Sequence, residues 1–183
     1  MIYFVDGDII AEHGRVRVYL YDGLLHLEIG PGHNLWMVES ELKELSEQIG
    51  DSPRGKCLEI GLGLGIASKY ILANSKVESL TTIEINSDVI AVHKMMNHLD
   101  DTRHKIINAN GLDFILQTDE KYDFIFFDHY SIIDEDTLEM LGTYLDATTR
   151  ILNTDGLVLA WFDPYTLKEY ADKFFDILKR PIL

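Results

Sequence analysis

The sequence predicts an α/β fold: a mostly parallel, three-layer sheet with helices on both faces, preceded by a small N-terminal β-hairpin region and closing on a short C-terminus. Three observations predict it. From Lys56 onward, short apolar runs alternate with helix-length segments, which is the pattern of a parallel sheet buried on both faces. A glycine-rich segment, Gly61-Leu-Gly-Leu-Gly65, stands at the first passage from strand to helix. Two strand-like runs flank Asp22-Gly23, a dipeptide that accepts the positive φ angles of a type I′ hairpin turn.

Taken in chain order, Ile2–Val5 reads as a strand, Asp6-Gly7-Asp8 as a turn, and Arg15–Tyr21 with Leu24–Ile29 as the hairpin. Residues 1–34 are expected to form an appendage and residues 35–183 the main domain. Leu35, Val38, Leu42, Leu45 and Ile49 share one face of a predicted helix that Gly50-Asp-Ser-Pro53 stops. Trp36 and Met37 fall on that helix, where such residues are more often core than ligand wall. Predicted strands follow at Cys57–Ile60, Ser79–Ile85, Lys105–Asn108, Tyr122–Phe127 and Gly156–Trp161. Between and after them, helices are predicted at Gly65–Ala73, Ser87–Leu99, Gly111–Gln117, Glu135–Leu152 and Pro164–Lys179. Asn153-Thr-Asp-Gly156 reads as the break between the fourth of these helices and the last strand.

At 183 residues, 46% of them apolar and 26% charged, the chain suits one globular domain with a three-layer core. No run approaches the roughly 18 to 20 apolar residues of a membrane span, and no basic region leads an apolar block at the start. The expectation is a cytoplasmic protein without a membrane partner. Cys57 is the only cysteine, so it forms no internal disulfide and reads as a buried structural thiol. Thirty-one acidic against 16 basic side chains leave a net charge of −15. Such a charge repels a phosphate backbone, disfavours nucleic acid and favours cationic partners such as amines, besides keeping the chain in solution.

Two stretches look alike: Leu27-Glu-Ile-Gly-Pro-Gly32 and Leu58-Glu-Ile-Gly-Leu-Gly63. A nucleotide-type loop follows a buried strand, opens a helix, and is succeeded by a second strand ending in an acid about 20 residues on. Only the second copy meets these conditions, with Glu84 in Thr81-Thr-Ile-Glu-Ile85 as the acid. Gly30 and Gly32 are read as turn residues. Gly61 and Gly63 would let the backbone turn and approach a ligand, Gly65 would allow close packing of helix on strand, and Glu84 would accept hydrogen bonds from both hydroxyls of a ribose.

Leu58-Glu-Ile-Gly-Leu-Gly-Leu-Gly65 resembles the first motif of class I S-adenosylmethionine-dependent methyltransferases, and Thr82-Ile-Glu-Ile85 resembles their second-strand acid. Asn110-Gly-Leu-Asp-Phe114 falls where that superfamily, spermidine synthases included, places an acid-glycine pair beside adenine, and Tyr122–Asp128 is similar to its fourth strand. The resemblance covers roughly residues 55 to 162 and implies a Rossmann-like methyltransferase fold. It implies that Glu59 and the loop residues Gly61, Leu62, Gly63 and Gly65 surround the methionyl part of the cofactor. Glu84 would hold the ribose, Ile85 would belong to the cofactor-binding set beside it, and Asn110 with Gly111 would border the adenine, through the Asn110 amide oxygen. Asp128, with His129 or Tyr130 beside it, would border the reaction and supply a base.

Two transfers fit this set. The hairpin containing Leu20-Tyr-Asp-Gly23 is similar to the N-terminal β region of spermidine synthases, which use decarboxylated S-adenosylmethionine. Their glycine loop carries an Asp that pairs with the aminopropyl ammonium, whereas Leu64 stands here. A Ser-Ser-Asp-Pro-like string follows their catalytic Asp, whereas His129-Tyr-Ser131 stands here. The preferred reading is therefore an S-adenosylmethionine-dependent methyltransferase acting on a small molecule or protein. Aminopropyl transfer to a cationic amine is the alternative, and a non-catalytic binding protein of this fold is the second, because only Arg180-Pro-Ile-Leu183 follows the last helix. A dinucleotide oxidoreductase fits less well, since the third glycine comes one residue early. His93, His98 and His104 lack the spacing of a metal site, so none is expected. Asp134-Glu-Asp136 favours a helix start, and the hairpin's unpaired edges are a place for homo-oligomer contacts.

Overall fold

The computed structural model describes residues 7–32, 34–96, 99–130 and 132–179. The expected strand Ile2–Val5, His98 and the four C-terminal residues lie outside them.

The N-terminal region is larger than a hairpin. Four antiparallel strands pair in chain order, β1 (Asp8–His13), β2 (Val16–Tyr21), β3 (Leu24–Ile29) and β4 (Asn34–Val38). Asp22 and Gly23 turn β2 into β3 with φ of 50° and 77°, the positive values that the turn chemistry demands. Gly30, with φ 92°, lies in the β3–β4 turn, as expected of the first of the two look-alike glycine segments.

The predicted helix Leu35–Ile49 is corrected in its first half. Met37 pairs with Leu27 and Leu35 with Glu28, so the backbone bonds of this stretch go to the sheet. A 3-10 turn (Glu39–Glu41) follows, and only Leu42–Ile49 is helical, as α1. Leu35 and Trp36 are exposed, while Leu45 and Ile49 are fully buried. The apparent 3.6-residue spacing thus joined two different elements, and tertiary pairing overrode it.

The main sheet is parallel, in the order β7-β6-β5-β8-β9. Its strands are β5 (Gly55–Ile60), β6 (Val77–Glu84), β7 (His104–Asn108), β8 (Tyr122–Phe127) and β9 (Leu152–Ala160). The helices between and after them are α2 (Ile66–Ala73), α3 (Ser87–Met96), α4 (Gly111–Gln117), α5 (Glu135–Thr148) and α6 (Lys168–Leu178). The expected break at Asn153–Gly156 is instead part of β9. Tyr122 pairs with Leu152 but Phe124 with Leu157, so the extra residues are accommodated as a bulge within the strand.

Alternation from Phe124 to Phe127 divides the core, and Tyr122 lies before the irregularity of the β8–β9 pairing. Phe124 and Phe126 join the apolar cluster shared by α2, α3 and the N-terminal sheet, and Tyr122, Ile125 and Phe127 join that of α4, α5 and α6. Each of these five is almost entirely removed from water, a burial that favours the fold by about 1.5–3 kcal/mol per large apolar side chain. Val16, Val18 and Leu27 of the N-terminal sheet belong to the first cluster. That sheet is also held by polar contacts to the start of α3, where the Asp88 carboxylate accepts from Arg15 N at 3.3 Å and meets His13 Nδ1 at 3.0 Å. Among the described residues no helix is long and apolar enough to cross a membrane.

Candidate active site

Strand order places the site. The chain moves outward on one side of β5 to β6 and β7, then crosses to β8 on the other side, and ligands collect at the carboxyl ends where such an order reverses. Register makes the placement specific: Ile60 pairs with Ile83 on one side and Phe127 on the other. The residues that follow these three, Gly61, Glu84 and Asp128, therefore emerge at one level. The ladder continues through them, with Gly61 N donating to Ile83 O at 2.9 Å and Asp128 N to Ile60 O at 2.8 Å.

They open onto a cleft of about 450 Å³. Of the residues the sequence proposed, Gly61, Gly63, Glu84, Ile85, Asn110, Gly111, Asp128, His129 and Tyr130 line it. Glu59, Leu62 and Gly65 do not. The Glu59 side chain is fully buried beneath the loop, where its Oε2 accepts from Thr82 Oγ1 at 2.6 Å and from Ser68 Oγ. Burial pushes its pKa up to about 8, so at neutral pH it is largely a neutral acid inside the domain and does not touch the cleft. Leu62 is buried and contributes its backbone N–H to Glu84.

The loop glycines serve packing as much as approach. Gly61 has φ 99°, and a Cβ there would stand 1.9 Å from the Asp128 carbonyl oxygen, so any side chain would push apart the two strand ends that form the site. Gly65 has φ 75°, and its Cβ would meet the His93 ring at 2.5 Å. Its close packing is therefore against α3, where a strand was expected.

Glu84 is held at the cleft by two backbone donors. Oε2 accepts from Leu62 N at 3.0 Å and Oε1 from Asn86 N at 2.7 Å. Each oxygen keeps a further acceptor direction, and the residue lines the cleft. Asn110 differs from expectation: its Oδ1 caps α4 by accepting from Asp113 N at 3.1 Å. An adenine amino group would have to share that oxygen.

Asp128 ends β8, as expected from the sequence. Desolvation, and then the charges of Glu41 and Glu84, raise its pKa to about 7. Among the described residues no group donates to its side chain, so the carboxylate is available to a ligand. His129 stands beside it with its ring 4.6 Å from that of Tyr144. Burial lowers its pKa to about 4, and among the described residues neither ring nitrogen has a hydrogen-bond partner. It is a neutral imidazole facing the cleft. Tyr130 donates its hydroxyl to the Trp161 carbonyl at 2.5 Å, and burial followed by the Asp128 charge holds its pKa well above the ordinary value. Tyr130 is a wall of the site with its proton engaged.

Several lining residues carried no sequence signal. Trp36 and Met37, expected in the core of a helix, reach the cleft from β4, and Glu41 reaches it from the 3-10 turn. Tyr144 and Trp161 arrive from α5 and the end of β9. Periodicity reports only which side of an element is apolar, and each of these residues enters through contacts remote in sequence. Among the described residues no three His, Cys, Asp or Glu side chains are arranged to hold a metal ion. No Lys or Arg among the described residues lines the cleft. Cys57 is buried, with its thiol pushed up to about 12.

A family model, the spermine/spermidine synthase domain, matches residues 49–176. The chain is 31% identical over 111 residues to a polyamine aminopropyltransferase of Serratia proteamaculans and 28% identical over 111 residues to one of Erwinia tasmaniensis, in each case over 57% of this chain and 39% of the relative. It spans well under half the length of these relatives. A spermidine synthase from Thermotoga maritima has a similar structure, with a TM-score of 0.69 at 20% identity over 96% of this chain and 62% of that one. A putative methyltransferase from Streptococcus mutans has a TM-score of 0.61 at 17% identity over 93% and 48%. These likenesses show a Rossmann-like fold common to both kinds of protein.

Methyl transfer, the preferred sequence reading, is overturned by the family model and the aminopropyltransferase relatives. Its main support was the absence of an acid at position 64. Leu64 is 1% exposed and packs in the core, so its identity does not describe the cleft surface, which is acidic.

Proposed function

The chain belongs to the spermine/spermidine synthase domain family, and on that premise we propose that its cleft binds decarboxylated S-adenosylmethionine and supports aminopropyl transfer to a cationic amine. The observation that carries this reading is the charge of the cleft: Glu41, Glu84 and Asp128 line it and, among the described residues, no Lys or Arg does. A ligand bearing a sulfonium and an ammonium is attracted there, and more strongly than one whose positive charge is partly cancelled by a carboxylate.

The residues present fit such a ligand. Gly61 and Gly63 keep the loop backbone free of side chains. Glu84 offers acceptor directions to a ribose, and Asn110 and Gly111 border the position expected of adenine. His129, Tyr144 and Trp161 supply a flat, weakly polar wall that excludes water. Bound there, the decarboxylated compound supplies a methylene carbon activated by its sulfonium; an amine lone pair attacks it as the carbon–sulfur bond breaks, leaving a neutral thioether. Asp128 orients the acceptor nitrogen and takes the proton that nitrogen must shed, a role suited to a carboxyl group whose pKa lies near 7. His129 accepts a hydrogen bond from the acceptor without competing for its proton.

Thermal denaturation with decarboxylated S-adenosylmethionine, S-adenosylmethionine and NAD tests the reading, because a ligand bound only by the native state raises its apparent stability with concentration. The decarboxylated compound should raise Tm most. A larger shift from the carboxylated one, or from NAD, would remove the proposal.

A further inference from the structure

We propose that Glu41 is the carboxylate that receives the propylammonium end of the ligand and turns away its carboxylated counterpart. The inference rests on the aminopropyl-transfer reading and identifies which residue of this chain confers the choice.

The glycine loop offers no acid for this task, because Leu64 is directed into the core. On the cleft wall formed by the N-terminal sheet, β4 runs past the loop closely enough for Met37 Sδ to lie 3.3 Å from Leu64 N. A Cβ on Gly63 would meet the same sulfur at 2.9 Å. Three residues beyond the end of β4, Glu41 enters the cleft beside Met37. Its Oε1 accepts from Val38 N at 3.0 Å, which fixes the side chain against its own turn. Among the described residues no donor is recorded for Oε2.

The Asp128 carboxylate lines the same cleft and likewise has no donor among the described residues. The two are close enough that the Glu41 charge contributes to raising the Asp128 pKa, while burial raises that of Glu41 itself. Two part-buried acids facing one space without a cation repel each other, and an ammonium between them relieves that repulsion. A carboxylate in the same place would add a third negative charge. The N-terminal sheet thereby supplies a specificity determinant that the glycine loop lacks.

Calorimetry on the whole chain separates the possibilities, using 5′-methylthioadenosine, decarboxylated S-adenosylmethionine and S-adenosylmethionine as ligands. In Glu41→Gln the decarboxylated ligand should weaken about tenfold or more, as expected for loss of a charge-assisted hydrogen bond. The carboxylated ligand should weaken less or bind better, and the uncharged thioether should bind as in the parent. Equal loss for all three would make Glu41 a structural residue and overturn the inference, as would an unchanged ratio between the two sulfonium ligands. If Glu41→Gln does not fold, Glu41→Asp takes its place: the shorter acid should weaken the decarboxylated ligand and spare the thioether, and equal effects on both overturn the inference. A parent that binds none of the three removes the aminopropyl-transfer reading and this inference together, whereas thioether binding with no role for Glu41 removes only the latter.

Discussion

Asp128 combines an acid's position at a strand end with surroundings that resist its charge, and this makes its titration a readout of function. Free of ligand, its carboxyl is protonated below a pKa of about 7 and cannot accept a proton, so kcat/KM for the acceptor amine should fall as pH drops through 7. A bound cation favours the carboxylate, so the corresponding limb in kcat should lie at lower pH. Asp128→Asn should lose turnover by about 10²- to 10⁴-fold, the usual contribution of a positioned acid or base, while 5′-methylthioadenosine binds as before. Rate assays between pH 5 and 9 check both, and full activity in Asp128→Asn would remove the catalytic role. The neighbouring glycines separate two effects that their sequence motif merges. Gly63→Ala meets only the mobile end of Met37 and should cost about 1–2 kcal/mol for its left-handed backbone. Gly61→Ala meets the Asp128 carbonyl oxygen and should cost more, which chemical denaturation of the two variants will rank. At this scale the motif was legible for Gly61, Glu84 and Asp128. It was silent for Glu41, because nothing local to Val38-Glu-Ser-Glu41 reveals what the folded chain sets opposite it.

Among the elements, the N-terminal sheet does most to turn an ordinary parallel sheet into this site. Its alignment depends on the Asp88 carboxylate at the start of α3, which takes the β1–β2 turn through His13 and Arg15. Gly14 is needed at that contact, since a Cβ with its φ of 57° would overlap Asp88. Asp88→Ala should therefore loosen the β1–β2 turn, seen as faster amide exchange there than in β5 and β8, and should weaken ligand binding because Trp36, Met37 and Glu41 shift with the sheet. Unchanged exchange would mean that Val16, Val18 and Leu27 hold the sheet by apolar packing alone. The hairpin was readable from Asp22-Gly23, whereas β4 was not. A short strand whose partner is a neighbouring strand has no periodic signature strong enough to outweigh a helix-like spacing that happens to run through it.

For the molecule as a whole, a net charge of −15 favours cationic acceptors at long range, and salt screens that attraction. KM for a polyamine acceptor should rise with ionic strength while the affinity for uncharged 5′-methylthioadenosine stays level, and a flat KM would confine the electrostatics to the cleft. Glu59 gives a separate, pH-dependent term. Its folded pKa of about 8 lies above the ordinary 4.5, so the folded state holds a proton that the unfolded chain releases. Stability from this group is full below about pH 4 and declines as pH rises from there toward 8. Glu59→Gln, neutral throughout, should show a smaller fall in Tm between pH 5 and 9 than the parent, and equal falls would show that Glu59 is not the responsible group.

By itself the sequence determined the α/β class, all five strands of the parallel sheet to within a few residues, and the glycine loop with its two downstream acids. These follow from local physics: apolar runs of strand length, positive-φ glycines between strand and helix, and carboxylates placed where a strand ends. Tertiary structure alone decided that Glu59 lies under the loop and away from the ligand space, that Leu64 belongs to the core, and that the acid opposite Asp128 comes from the turn after β4. Which way a side chain faces depends on the element packed against it. That information lies in contacts between β4, the glycine loop and the end of β8, residues far apart in the chain whose meeting no local pattern records.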